Sequence, residues 1–64
     1  MGTPEPGQTV RLIHTTDPHT RLQPGDTGVV TFVDSLGTVH VRWEGGSNLG
    51  LIPGEDRWEV VPMP

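Results

Sequence analysis

The chain is 64 residues long and carries a formal charge of −4 from four arginines, no lysine and eight carboxylates. That balance argues against sequence-independent nucleic-acid binding, which rests on many cationic contacts to phosphate. The lack of cysteine excludes disulfides, thiolate metal sites and a thiol nucleophile, and no apolar run approaches the roughly 18–20 residues of a membrane span.

Nine glycines and seven prolines leave no room for a long helix but suit short strands joined by tight turns. Residues 1–6 hold two prolines and no apolar anchor beyond Met1, which predicts a disordered tail. Residues 7–62 are expected to form one domain, with 63–64 as a second tail. A first strand is predicted over 8–13, rich in β-branched residues. A long polar loop then runs over 14–26, in which Asp17-Pro18 starts a turn and Pro24-Gly25 suits the centre of a type II turn. The run GVVTFV within 27–33 is the clearest strand. Asp34-Ser35-Leu36-Gly37 has turn chemistry, and TVHVRW over 38–43 alternates cleanly as the third strand. Gly45-Gly46 closes the next hairpin, 48–52 is the fourth strand, and Pro53-Gly54 stops it. A single 3₁₀ turn over 55–57 is predicted before the last strand, 58–61. The expected fold is therefore all-β, a small five-stranded SH3-like barrel with a long loop after the first strand.

Register gives the expected core. A two-residue loop at Ser35-Leu36 opposes Phe32 to Val39 and Val30 to Val41, and opposed residues share a face. Gly28 then lies opposite Trp43 and gives the indole room. The other face receives Val29, Thr31, Val33, Thr38, His40 and Arg42. An odd-numbered loop in the next hairpin opposes Val41 to Leu51 and Trp43 to Leu49. The predicted core is thus Val10, Leu12, Val30, Phe32, Val39, Val41, Trp43, Leu49, Leu51, Trp58 and Val60.

Three stretches carry a family resemblance: PGDTGVV (24–30), VHVRWEGG (39–46) and LGLIPGEDRWEVV (49–61). In that order they resemble a small bacterial family known only as a domain of unknown function. The resemblance covers roughly residues 7–61. It implies an SH3-like barrel and brings no activity and no site residues. GDTGVV (25–30) is more loosely similar to the KOW modules of ribosomal and transcription proteins, where the glycines allow a tight turn into a strand. KOW modules that hold RNA tend to be basic, and this chain is acidic.

The residues offer little chemistry. His14, Asp17 and His19 lie within six positions and could converge on a metal, yet the loop supplies too few further donors for the three or four ligands of a zinc site. No metal and no cofactor are expected. Ser35 and Ser47 sit in hairpin turns with no neighbouring base, so no enzyme is expected. The aromatic groove of a polyproline-binding domain lacks its residues here. A protein-binding surface remains, assigned to the 14–26 loop and the mixed sheet face. Its candidate residues are His14, Asp17, His19, Arg21, His40, Arg42 and Trp58. The alternative is an accessory barrel associated with nucleic acid, which requires Arg11, Arg21, Arg42 and Arg57 to cluster. The N-terminus lacks signal-peptide features, so the expected site of action is the cytoplasm, away from membranes. Protein binding or self-association is expected, with a monomer favoured over a homodimer.

Overall fold

The computed structural model describes residues 4–16, 22–47 and 49–62, and every regular element among them is a strand. The strands are β1 (Thr9–His14), β2 (Thr27–Val33), β3 (Val39–Trp43), β4 (Gly50–Leu51) and β5 (Arg57–Val61). They form one antiparallel sheet in the order β4-β3-β2-β1-β5, which curls into a small barrel-like domain.

Alternation builds the interior. Val10 and Leu12 of β1, Val30 of β2, Val39, Val41 and Trp43 of β3, and Leu51 of β4 are all buried. Leu49 and Trp58 pack against them from the partly buried rim. Gly28 faces Trp43 as the register predicts. A Cβ at Gly28 would lie 2.7 Å from the Arg42 carbonyl oxygen and 2.9 Å from Trp43 Cα, so the two strands approach closely only because that side chain is missing. Gln23–Asp26 forms the turn expected at Pro24-Gly25: the Asp26 N–H donates to the Gln23 carbonyl at 3.0 Å, and Gly25 has φ 100°.

The β2–β3 hairpin departs from the predicted two-residue loop. The Asp34 N–H donates to the Thr38 carbonyl at 3.1 Å, so the loop is Ser35-Leu36-Gly37. Gly37 has φ 88°, the left-handed conformation that closes a three-residue hairpin. The extra residue is absorbed by a bulge between Val30 and Phe32. Beyond it Phe32 pairs with His40 and Val33 with Val39. Phe32 therefore leaves the core and is 51% exposed, while Val33 turns inward to pack against it. Val60, also predicted inside, is 45% exposed because β5 is the edge of the sheet, with no strand beyond it among the described residues.

The β3–β4 hairpin repeats the construction, with Gly46 at φ 89° and the Trp43 N–H directed at the Ser47 carbonyl at 3.5 Å. The odd loop is as expected, but the register moves by two: Val39 faces Leu51. A shift of two keeps Leu49 and Leu51 on the inner face. The 3₁₀ turn expected before β5 is a hydrogen-bonded turn in which the Glu55 and Asp56 N–H groups both donate to the Ile52 carbonyl, at 3.1 and 2.9 Å.

Two residues of predicted polar segments are inside. Leu22 is buried at the end of the loop after β1, and Asp56 is 8% exposed. Residues 4–6, assigned from sequence to a tail, take part in a turn: Pro4 is buried, and the Gln8 N–H donates to the Glu5 carbonyl at 3.1 Å.

Candidate functional site

The bulge in β2 builds the most distinctive surface of the described residues. Residues paired across neighbouring strands share a face, so Val29 and Arg42 form one outward row and Phe32 and His40 the next. The Phe32 and His40 rings stack with centroids 4.2 Å apart and planes 6° from parallel. A depression of about 280 Å³ beside them is lined by Thr31, Phe32, His40, Val41 and Arg42.

Asp34 fixes this arrangement from the hairpin loop. Its Oδ1 accepts the Leu36 N–H at 2.9 Å and the Thr38 N–H at 3.0 Å, and its Oδ2 accepts from His40 Nε2 at 2.9 Å. An ionised carboxylate only accepts, so the shared proton sits on Nε2. Thr31 Oγ1 donates to the His40 carbonyl at 3.1 Å and ties the bulge to β3. The loop, the imidazole and the phenyl ring are thus held as one unit.

The hydrogen bond from His40, joined by those from the Thr38 and Leu36 backbone, holds the Asp34 carboxyl below its ordinary value of 3.8. A lowered carboxyl stabilises the fold in full above the ordinary value, and the contribution is lost as pH falls through the native one. Asp34→Asn is therefore expected to be less stable than the parent at neutral pH, with the gap closing as the solution is acidified below 3.8. Thermal unfolding of both proteins through the acid range checks this. A gap that stays constant with pH would show that ionisation of Asp34 contributes nothing.

Arg42 stands exposed on the same face, with no ion pair among the described residues. By contrast Arg11 bridges Glu59 at 3.4 Å on the outward side of β1 and β5, and Thr27 Oγ1 hydrogen-bonds Glu44 beside it. The polar groups of that neighbouring row satisfy one another. On the face around Phe32, Arg42 alone has no such partner among the described residues and stands beside exposed apolar groups.

A second groove, about 380 Å³, lies where β1 and β5 meet the turn before β5 and is lined by Ile13, Pro53, Gly54, Asp56, Arg57 and Trp58. Asp56 shapes it. Its Oδ1 accepts the Thr15 hydroxyl at 2.8 Å and the Thr16 N–H at 3.4 Å, and its Oδ2 accepts the Ile52 N–H at 2.8 Å. The carboxylate clips the segment after β1 onto the turn before β5.

The predicted site residues therefore separate. His40 and Arg42 lie together on the β2–β3 face. His14 is exposed at the end of β1, paired with Arg57 after a bulge, and half-buried Trp58 lines the adjoining groove. Asp17, His19 and Arg21 lie outside the described residues. Among the described residues no group of three or more His, Asp or Glu is placed to hold a metal ion. No helix among them is long and apolar enough to cross a membrane. Sequence reasoning missed Phe32 and Asp56. The signal for Phe32 was Gly37, whose position after Leu36 suits a three-residue loop and hence a compensating bulge. Asp56 has no comparable signal.

A family model described as Domain of unknown function (DUF4314) matches residues 3–61. Comparison with curated proteins and comparison with solved structures each gave no match.

Proposed function

The chain belongs to the DUF4314 family, and we propose that its domain is a non-enzymatic, cytoplasmic interaction module of SH3-like architecture that docks a protein partner on the outer face of β2 and β3. One observation carries the reading: Phe32, which could have filled the core, is turned outward by a bulge and stacked on His40 beside an unpaired arginine. Exposing an aromatic ring in a chain with so few apolar residues forgoes core burial, and its position is fixed by Asp34 and Thr31. Aromatic and arginine side chains are the types that most often anchor protein interfaces. Val29, 43% exposed, extends the apolar part of the face. The SH3-like assignment is supported by five short strands in one curled sheet, with the longest connection after β1. The non-enzymatic part rests on the sequence, where neither Ser35 nor Ser47 has a neighbouring base.

The same observation favours a second reading. An exposed aromatic pair next to a guanidinium is the elementary unit of a single-stranded nucleic-acid platform. The charge of −4 weighs against it, because phosphate contacts supply most of such affinity.

A photo-crosslinking side chain in place of Phe32 separates the readings inside cells that make the protein. A defined polypeptide joined from position 32, absent when the group is placed at Glu55, and reduced several-fold by Arg42→Ala, supports the protein-binding module. RNA or DNA adducts from position 32 support the second reading instead. Equal, unspecific adducts from positions 32 and 55 overturn both.

A further inference from the structure

We propose that the outer edge of β5 pairs antiparallel with the same edge of a second copy, Trp58 facing Trp58 and Arg57 facing Glu59, so that two domains share one continuous sheet. The inference rests on observations separate from those of the β2–β3 face and does not depend on it.

Backbone hydrogen bonds show which groups of β5 are free. In an antiparallel ladder, successive residues of a strand direct their N–H and C=O alternately to one neighbour and then the other. The Leu12 N–H donates to the Asp26 carbonyl, and the Leu12 carbonyl accepts the Gly25 N–H, each at 2.8 Å. Both polar groups of Leu12 therefore point to the β2 side. Trp58 is the β5 residue opposite Leu12, so its own N–H and C=O point away from β1, off the open edge of the sheet. Two residues on, Val60 opposite Val10 repeats the arrangement. β5 thus presents two donors and two acceptors, properly spaced, with no strand beyond them among the described residues.

The two edges of the sheet differ. The β4 edge is only two residues long, Gly50–Leu51, and short edges template poorly. The β5 edge runs for five residues with its free groups in phase. On its inner side Val60 is left 45% exposed and Trp58 half-buried, apolar surface that a further strand would cover. A thin core gains most from such covering, because small domains sit close to the balance between burial and chain entropy.

Charge selects a second copy as the occupant and also sets the register. Only shifts of two residues keep the inner faces aligned. With Trp58 opposite Trp58, Arg57 falls opposite Glu59 twice, once in each direction across the two-fold axis. One shift away, Glu59 meets Glu59, a like-charge pair that destabilises. A further shift leaves Glu59 opposite Val61 with its charge unanswered. The alternation Arg57-Trp58-Glu59 is therefore complementary to itself. Arg11, 3.4 Å from Glu59 Oε1, leaves the other carboxylate oxygen for the incoming guanidinium. The sequence alone favours a monomer; the open, self-complementary edge weighs the other way.

Sedimentation equilibrium of the full chain, from micromolar to millimolar concentration, tests the proposal. The expected result is a mass rising from 6.9 kDa to twice that value, with the Trp58 and Val60 amides gaining protection from exchange as the dimer fills. Val60→Pro removes an N–H that the monomer leaves in solvent, and it should hold the mass at 6.9 kDa throughout while circular dichroism stays that of the parent. Arg57→Glu should do the same, and Arg57→Glu with Glu59→Arg should restore the dimer. Because Arg57 is exposed, that pair of variants keeps the test alive if proline at 60 unfolds the chain. A parent that stays monomeric at millimolar concentration overturns the proposal. So does a dimer indifferent to both Val60→Pro and Arg57→Glu. A dimer lost with Phe32→Ser but kept with Arg57→Glu would move self-association to the β2–β3 face and overturn it too.

Discussion

Trp43→Ala is expected to unfold the domain at ordinary temperatures. Trp43 is 2% exposed and the largest of the buried side chains. It lies opposite Gly28, in the one place where β2 and β3 close tightly enough to leave no room for a Cβ. Removing a buried tryptophan costs about 3–5 kcal/mol, made of lost transfer energy and the cavity left behind. A domain of 64 residues has a total stability of roughly 3–10 kcal/mol at the usual amount per residue. The loss is thus comparable with the whole. The cavity cannot collapse easily, since Gly28 offers no side chain to fill it and the strands are already in contact. The indole N–H also donates to the Leu49 carbonyl at 3.0 Å, which anchors the segment leading into β4. Trp43→Phe keeps most of the apolar volume and loses this bond, so it should cost less, about 1–2 kcal/mol. Far-UV circular dichroism and amide dispersion in NMR spectra read the outcome. An alanine variant that stays folded with a loss below about 1.5 kcal/mol would show that the core closes around the gap.

What was legible in the chain follows the range of the forces involved. Strict alternation in Val39-His40-Val41-Arg42-Trp43 fixes which residues of β3 go inside, because a slip of one would expose all three apolar side chains. Pro24-Gly25 is legible for a local reason, since its turn needs only the backbone preferences of two residues. Phe32 was not, although every local sign in its strand is correct. Its face depends on whether the loop holds two residues or three, and a single bulge resolves the difference by reversing the end of β2. Sequence periodicity counts residues and does not see a bulge. For the candidate site the consequence is large: His40 and Arg42 were visible as neighbours on an outer face, but the ring that makes the face distinctive had been assigned to the core. Leu22 escaped for another reason, as a lone apolar residue in a polar stretch has no period to place it.

Asp56 is the buried polar counterpart, and Asp56→Ala should lower stability by about 1–3 kcal/mol, the cost of removing a charged acceptor shared by three part-buried hydrogen bonds. Its carboxylate receives the Thr15 hydroxyl, the Thr16 N–H and the Ile52 N–H, and so joins chain segments about forty positions apart. The Ile52 and Thr16 amides would lose this acceptor when the carboxylate goes. Water can reach part of the vacated space through the adjoining groove, which keeps the loss below the sum of three separate bonds. Asp56→Asn retains one acceptor oxygen and should fall between the parent and the alanine variant. The damage should also be local in kind. The segment after β1 and the turn before β5 should loosen first, and the wall of the groove formed by Ile13, Pro53 and Trp58 should widen with them. Urea unfolding measures the total, and amide exchange at Thr16 and Ile52 measures the local part. If exchange at those two amides is unchanged while stability falls, Asp56 acts elsewhere than through this clip. If stability is unchanged as well, the clip contributes nothing, and the turn before β5 is held by its own backbone, in which the Glu55 and Asp56 N–H groups share the Ile52 carbonyl.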